Sequence, residues 1–511
     1  MSKDRSTLHS FSILTVITIT EKIIAFVFEA IIAAVIGTNA VTDGYFTTAE
    51  MFTLIDSAFL SAITVVALNR YAFHVKNEGE EKGFEALSNL QSFYLILMVA
   101  VTVLVFSFAR PLSYVVAPGY DDNARNIVIR CIRVMSVIPS VVCVTSIGLA
   151  VLRQKKMFGI TGLKSLFISL VGIAGVLIFG RGELTNADVL SISFVISMVS
   201  YCVLVTLSVR KYGKIKLRVP KFNAELKNTL KMLLPLMVSY GVARVALMVD
   251  KIVASTLAEG SVSALTYSHS LYKVVGAIFI TNLSTIILTD FNNLCAKNEI
   301  EKVRNKIIST VSAMTLVMIP ITVVSVFNSE EIVKIVYERG KFSSEATVLV
   351  GSVLLFYALN FIPAMIHGVY NQALYGFGDT LKPMLIAAVA VVVNLGTSIP
   401  LAMLIGLPGV AIGTLVSSIC TVILARTAIK KYIPDYRGCY TLKYLLKVLA
   451  SGAVCVAGVI AVTMFIKKPF WSFAVSTVVA FGLFGIMLIL LKEEVCMSYF
   501  KTICKKLSKK H

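Results

Sequence analysis

Charge is what this sequence has least of. Only 15% of its 511 residues are Asp, Glu, Lys or Arg, and 57% are hydrophobic, against roughly 25% charged residues in an ordinary soluble domain. That shortage excludes a water-soluble globular chain. Cysteine pairing is missing too. The nine cysteines are scattered, some of them inside apolar runs (Cys131, Cys202, Cys455), with no CxxC spacing and no His cluster nearby. A zinc or disulfide framework is therefore not expected, and cysteine serves as a small buried hydrophobe. There is no GxxxxGK[ST] loop for nucleotide phosphates, no HExxH and no GxSxG. An ATP-driven pump is thereby excluded. No polar catalytic cluster stands near the end of an apolar run, so no enzyme is expected.

Apolar length is what the chain does have. A bilayer core of about 30 Å takes roughly 20 apolar residues per helix. Blocks of that length lie near 11–36, 46–70, 86–109, 126–152, 157–180, 187–209, 228–253, 264–289, 303–327, 346–370, 384–405, 408–429, 443–466 and 470–491. The first block has no small-residue cleavage site behind it and reads as a first span, not a signal peptide. The expectation is an all-α polytopic membrane protein with about fourteen transmembrane helices.

The formal charge of +20 suggests nucleic acid until its placement is considered. RQKK (153–156), RKYGKIKLR (210–218), CAKNEIEKVRNK (295–306), KKYIPDYR (430–437) and KTICKKLSKK (501–510) all fall in alternate loops. The intervening loops, such as TNAVTDG, LAEGSVSA and GLPG, are poorer in Lys and Arg. The positive-inside rule places the basic loops and both termini in the cytoplasm. The charge then serves topology and contact with anionic membrane lipids, with no nucleic-acid partner.

Two stretches recur at nearly one offset. AAVIGTNAVTDGYFTTAE (33–50) resembles ASTLAEGSVSALTYSHSL (254–271), and GLAVLRQKKMFGIT (148–161) stands where NQALYGFGDTLKP (371–383) stands about 222 residues later. This predicts two six-helix pseudo-repeat lobes in parallel orientation, 1–220 and 221–436, and a region 437–511 with two more helices and a basic tail. Parallel repeats are a transporter architecture. In the second of these turns Gly376 and Gly378 allow backbone conformations closed to other residues. Pro383 suits the first turn of the next helix, and Asp379 or Thr380 can cap it. A structural and hinge role is expected there.

Ionisable residues inside spans are costly and tend to mark cavities. They are Glu21, Lys22 and Glu29 in the first block, Asp56 in the second, Arg130 and Arg133 in the fourth, Arg244, Asp250 and Lys251 in the seventh, His269 and Lys273 in the eighth, and His367 in the tenth. Glu21, Lys22 and Glu29 share roughly one helical face.

VDKIVASTLAEGSVSALTYS (249–268), VYERGKFSSEAT (336–347), YALNFIPAMIHGVYNQALYGFGDTLKP (357–383) and GTNAVTDGYF (37–46) together resemble the MurJ (MviN) family, the bacterial lipid II flippases of the multidrug/oligosaccharidyl-lipid/polysaccharide exporter superfamily. The resemblance spans nearly the whole chain. It implies an inner-membrane flippase that moves an undecaprenyl-diphosphate-linked saccharide outward by alternating access, alongside the cell-wall synthesis machinery. Lys22, Glu29, Asp43, Asp56, Arg244, His269 and Lys273 become the substrate-cavity candidates. Lys22 keeps a family cation, whereas Phe28, Asp56 and Ser270 stand where family arginines are expected. No cofactor is implied. In some members a sodium ion couples transport, and here Asp250 and Asn394 take the matching positions, with Ser398 where a further carboxylate is expected; the membrane potential is the other means of coupling. Three alternatives stay open: a capsule or O-antigen unit as cargo, a cation-coupled drug antiporter, and a non-transporting scaffold that binds lipid-linked intermediates.

Overall fold

The computed structural model describes residues 20–180, 186–222, 224–276, 282–436 and 442–493, together with Met497. The start of the first expected span (11–19) and the basic tail (501–510) lie outside the described residues. Every regular element described is a helix. In the first part these are α1 (20–35), α2 (Ala40–Glu78), α3 (Glu80–Ser107), α4 (Ala109–Val116), α5 (Asp122–Met135), α6 (Ile138–Gln154), α7 (Phe158–Thr161), α8 (Lys164–Phe179), α9 (Asn186–Val209) and α10 (Ala224–Ala254). The second part comprises α11 (Ser261–Gly276), α12 (Asn282–Ala296), α13 (Ile300–Phe327), α14 (Ser329–Tyr337), α15 (Ser344–Leu359), α16 (Phe361–Gly376), α17 (Leu381–Ile405), α18 (Leu407–Ile429), α19 (Leu442–Phe465) and α20 (Pro469–Leu490).

Nine of the described spans are long and apolar enough to cross a membrane, or ten if the bent pair α15–α16 counts as one. The expected blocks and the helices differ where breakers intervene. Block 126–152 is two helices, α5 and α6, parted at Ser136–Val137 just before Pro139. Block 346–370 is likewise α15 and α16, bent by 40° just before Pro363. Proline removes a donor and crowds the preceding turn, so the break falls just ahead of it. Block 46–70 is only the middle of α2. That helix has 39 residues and at 1.5 Å per residue is about 58 Å long, well beyond the bilayer core. A capping box at Asn39 and Thr42 starts it, satisfying backbone donors at its N-terminus.

The chain divides into two compact units, Met1–Ser263 with Arg339–Phe342, and Ala264–Glu338 with Ser343–His511. The lobes expected at 1–220 and 221–436 are units of repetition; the compact units part elsewhere because α10 packs along α2. In the first unit, Ile63, Tyr71, Leu87, Tyr94, Leu149 and Tyr201 form the core, joined by Leu226 and Leu233 of α10. The core of the second unit is built on Phe291, Val303, Phe361, Tyr370 and Tyr436. A smaller cluster there, with Val324, Cys455, Val459 and Phe484, seats α19 and α20 on α13. Asn328 Oδ1 accepts from the Ser472 and Ser476 hydroxyls at 3.2 and 3.3 Å, a polar tie of the kind that joins helices where lipid offers no hydrogen bonds. Exposed Val103, Phe106, Met403, Leu404, Phe465 and Val478 form the apolar outer faces such a protein presents to lipid.

The repeat is visible helix by helix. Ala40 pairs with Ser261, Glu80 with Ile300, Ala109 with Ser329, Asp122 with Ser344, Ile138 with Phe361 and Asn186 with Leu407 as helix starts, at spacings of 220 to 223 residues. The caps repeat as well: Asp121 caps α5 and Ser343 caps α15.

Candidate functional site

The ionisable residues of the first unit gather along α2, α8 and α10. Asp56 forms an ion pair with Lys164 at the start of α8, and Asp56 is buried. Lys164 carries no signal in the sequence beyond its position after the breaker Gly162. Phe28 is also buried and packs against Gly172 of α8, where a Cβ would collide with its ring. Thus Phe28 is committed to packing, and the charge at Asp56 is balanced by a lysine from another helix. Lys22 is exposed on α1. Glu29 is half-buried, with Oε2 enclosed and without a hydrogen bond among the described residues.

About three turns from the start of α2, Glu50 draws two cations from α10. Lys251 Nζ lies 3.1 Å from its Oε2 and Arg244 3.9 Å from its Oε1. Lys251 also donates to the Phe46 carbonyl at 3.1 Å. Buried charge is tolerable when paired and hydrogen-bonded in this way. Glu50 is the acidic partner that sequence reasoning missed. Its only signal is its place seven residues after Asp43 on one face of a helix.

Asp43, expected in the substrate cavity, bonds to the start of α11. It is buried, and its Oδ1 accepts from the Ser263 backbone and hydroxyl, both at 2.7 Å, while Oδ2 accepts the Gly260 N–H at 2.8 Å. These are donors at the start of α11, so the carboxylate acts as a cap supplied from a distant helix. Arg130, another sequence candidate, pairs with Asp188, and Arg133 lies 5.8 Å over the Phe106 ring.

In the second unit His269 sits in an aromatic group, 5.9 Å from Tyr272 and 5.6 Å from Tyr357. Lys273 is exposed, and the Ser270 hydroxyl is buried without a partner among the described residues. Asn394 Nδ2 donates to Thr414 Oγ1 at 3.2 Å, and the Ser398 hydroxyl donates to the Val410 carbonyl at 3.4 Å. Of the pair expected to hold a cation, Asp250 belongs to the first unit and Asn394 to the second. Among the described residues no three His, Cys, Asp or Glu side chains come together to hold a metal.

The turn 376–383 is built largely from its own residues. Gly378 has φ +78°, and at Gly376 a Cβ would lie 2.8 Å from Phe291 Cβ, so both positions need glycine. Asp379 Oδ1 accepts the Lys382 N–H at 3.0 Å, and Oδ2 accepts the Tyr432 hydroxyl at 2.7 Å. Thr380 makes no capping bond with its side chain, so of the two expected caps Asp379 is the one in use. Pro383 is the third residue of α17 and is buried. Phe377 stacks on Tyr432 at 4.6 Å. The corresponding turn of the first unit closes with the same bonds: Lys156 N to Arg153 O and Met157 N to Leu152 O there, Gly378 N to Tyr375 O and Asp379 N to Leu374 O here. Both are helix ends closed through a residue at positive φ, Lys156 at +60° and Gly378 at +78°. The same closure recurs at Asn298 and Lys492, so it is a general way of ending a helix and not a mark of these two turns alone.

The family model of lipid II flippase MurJ matches residues 32–484. The chain belongs to the lipid II flippase MurJ family. A Rhizobium tropici relative, named as a probable lipid II flippase MurJ, is 25% identical over 409 residues, covering 78% of this chain and 76% of its own. A Rhizobium meliloti (strain 1021) relative of the same name is 22% identical over 414 residues, covering 78% and 76%. Among solved structures, lipid II flippase MurJ in an inward closed conformation superposes with a TM-score of 0.80 at 18% identity, over 94% of this chain and 99% of that one. An inward-facing multidrug resistance MATE family transporter of the MOP superfamily gives 0.67 at 15% identity, over 82% and 99%. These likenesses show that this MurJ-family protein shares the fold of those two structures.

Proposed function

We propose that this protein is a flippase for lipid II, moving the polyprenyl-diphosphate-linked peptidoglycan precursor from the cytoplasmic to the outer face of the inner membrane by alternating access. The observation that carries this reading is the MurJ family match across 32–484. Both termini and the basic loops are placed in the cytoplasm by the positive-inside rule, and the cell-wall synthesis machinery that consumes lipid II is the expected partner. A diphosphate leaving water needs cations to offset its desolvation. Lys22, exposed on α1, is proposed as the first of these, with Arg244 and Lys273 as further candidates. Energy for the cycle is proposed to come from the membrane potential or a sodium gradient, since the sequence holds no nucleotide-binding loop.

A second reading, another polyprenyl-linked oligosaccharide as cargo, is favoured by Phe28 and Asp56. Both are engaged in packing or ion pairing inside the first unit at positions where the family resemblance led us to expect arginine. Complementation of a MurJ-depleted bacterium separates the two. Growth restored by the wild-type chain and not by Lys22→Ala, at equal protein level, supports lipid II as cargo. Failure of the wild-type chain to restore growth while it restores capsule export in a strain lacking the matching flippase would decide for the alternative.

A further inference from the structure

A cavity of ≈ 390 Å³ lies where α3, α6 and α9 meet the connector that follows α9. Its lining belongs to the first unit and includes none of the transport candidates above. Val144 and Gly148 of α6 and Val209 of α9 give it an apolar wall, and Arg210, Lys214 and Lys216 bring cations to the connector end. That end is positive. The lining holds three cations and no carboxylate. All three are exposed, and their side chains make no ion pair or hydrogen bond among the described residues. The carboxylates on the first turns of α3 are Glu80, Glu81 and Glu85. Glu80 pairs with Lys155, and Glu85 with Lys82 and Arg218, both at 3.0 Å. Glu81 is exposed and unpaired among the described residues; against it stand the three lining cations and Lys211 beside them.

The connector is held in place by its backbone. Lys216 N and Arg218 N donate to the Ser88 and Ser92 hydroxyls of α3 at 3.0 and 2.9 Å. Gly213 lies flush on the same helix, where a Cβ would come 2.3 Å from the Phe84 ring. On the other side Gly148 lets α6 close on α9, since a Cβ there would lie 2.5 Å from Val205 Cγ1. The backbone that carries the cations is thus placed before any ligand arrives, which lowers the cost of binding.

Gln91 of α3 points to what enters. It lines the cavity, is only 8% exposed, and its side-chain amide makes no hydrogen bond among the described residues. Two donors and an acceptor are therefore left to the cavity, and a buried polar group without a partner is costly. Gln91 stands three residues past Ser88, about 4.5 Å further along the helix, so the amide lies one step below the cations. A glycerophospholipid has the same order, with ester carbonyls one step below its phosphate. The outer surfaces of the walls are apolar: Ile96 and Leu97 of α3 and Val203 and Leu207 of α9 are exposed. These four do not line the cavity; they set its walls among acyl chains. The volume falls within the roughly 300–1,000 Å³ of small-ligand sites, enough for phosphate and esters while the chains run outside.

We propose that this cavity binds an anionic glycerophospholipid from the leaflet facing the basic loops, with its phosphate among Arg210, Lys214 and Lys216 and an ester carbonyl accepting from the Gln91 amide. The bound lipid ties the end of α9 to α3. This inference does not depend on which saccharide the protein carries.

The test uses the full-length protein purified in detergent, titrated with dioleoylphosphatidylglycerol, its dialkyl ether analogue or dioleoylphosphatidylcholine, and read by native mass spectrometry and by thermal melting. Phosphatidylglycerol is expected to be retained and to raise the melting temperature, and phosphatidylcholine to do neither. The ether analogue lacks the carbonyl and should bind about fivefold more weakly, at the usual value of one hydrogen bond. In Gln91→Leu the ester and ether lipids should bind equally. Lys214→Gln should weaken phosphatidylglycerol binding about fivefold, and Arg210→Gln with Lys214→Gln about thirtyfold, at the usual value of an interfacial cation. Lys297→Gln with Lys430→Gln, removing two exposed cations elsewhere, should leave binding unchanged. Equal weakening by that control pair would show diffuse surface attraction and overturn the site. An equal melting shift from glycerol 3-phosphate at the same concentration would make the ligand soluble and overturn the lipid assignment. Equal binding of ester and ether lipids by the wild type would take Gln91 out of the site and overturn the placement. If other variants do not fold, Lys214→Gln decides alone, since that side chain is exposed; unchanged binding in it sinks the proposal.

Discussion

Asp56 and Lys164 are 108 residues apart in the chain and meet inside the first unit. A buried carboxylate left alone costs far more than the pair contributes, so the two single variants and the double should differ in kind. Lys164→Met is expected to lower stability by roughly 3–5 kcal/mol, and Asp56→Asn with Lys164→Met by clearly less. Thermal melts in detergent measure both; equal losses would mean that the pair is solvated and structurally idle. Asp379 behaves differently because it lies in a loop. Its slight burial pushes the carboxyl up, but the Lys382 N–H, the Tyr432 hydroxyl and the nearby ammoniums of Lys382 and Lys431 outweigh this and leave it below the ordinary carboxylate value. The same bond raises the Tyr432 hydroxyl. A lowered folded value means stability that is present above the unfolded carboxylate's titration and is lost as pH falls through the folded one. Asp379→Ala should therefore flatten the acid limb of the stability curve and lose about 1 kcal/mol at neutral pH, the usual value of a cap, while Asp379→Asn keeps most of the cap. An acid limb identical in wild type and Asp379→Ala would remove the carboxylate from the account.

Among the elements, α17 and α18 pack closely along each other. Gly409 and Gly413, four residues apart on α18, allow the approach that small residues give helices in lipid. A Cβ on Gly409 would overlap the Leu401 and Ala402 backbone, and one on Gly413 would lie 2.8 Å from Ser398 Cα and N. Backbone cannot swing aside as a side-chain tip can, so Gly409→Ala should destabilise by about 1–3 kcal/mol, as overpacking usually does. Gly482→Ala, where a Cβ meets nothing within 4 Å, should instead stabilise by about 0.5–1 kcal/mol through helix propensity. Opposite shifts in melting temperature are the expected result; parallel shifts would mean that the hairpin is not held by close approach. Such contacts mark what is and is not legible in a sequence. Apolar runs show where helices pass, because every span must be greasy whatever it packs on. Where a run breaks is legible only in part: Pro139 and Pro363 announce the breaks before α6 and α16, but the extension of α2 to Glu78 rests on packing that composition does not record. Ion pairs are legible as members and not as pairs. Asp56 stands out alone, while Lys164 and Glu50 acquire meaning only when the fold brings their partners near.

For the whole molecule, the repeat makes a prediction that neither half makes alone. Helix starts recur at 220 to 223 residues, and the caps Asp121 and Ser343 stand 222 residues apart. A six-helix unit crosses the membrane an even number of times, so its second copy must begin on the side where the first began. Equivalent loops then share a side. The Lys156 and Gly378 turns go together, and so do the loops ahead of α5 and α15, on the opposite face. By the positive-inside rule, the richness of 153–156 and 430–431 in Lys and Arg predicts a cytoplasmic position for the first pair. Single cysteines placed in a cysteine-free background at Lys156, Thr380, Asp122 and Glu345, all exposed positions, read this directly. An impermeant maleimide applied to intact cells should label the Asp122→Cys and Glu345→Cys proteins and leave Lys156→Cys and Thr380→Cys unlabelled until the cells are opened. Labelling of one member of a pair without the other would break the parallel repeat. Labelling with both pairs reversed would keep the repeat and invert the orientation.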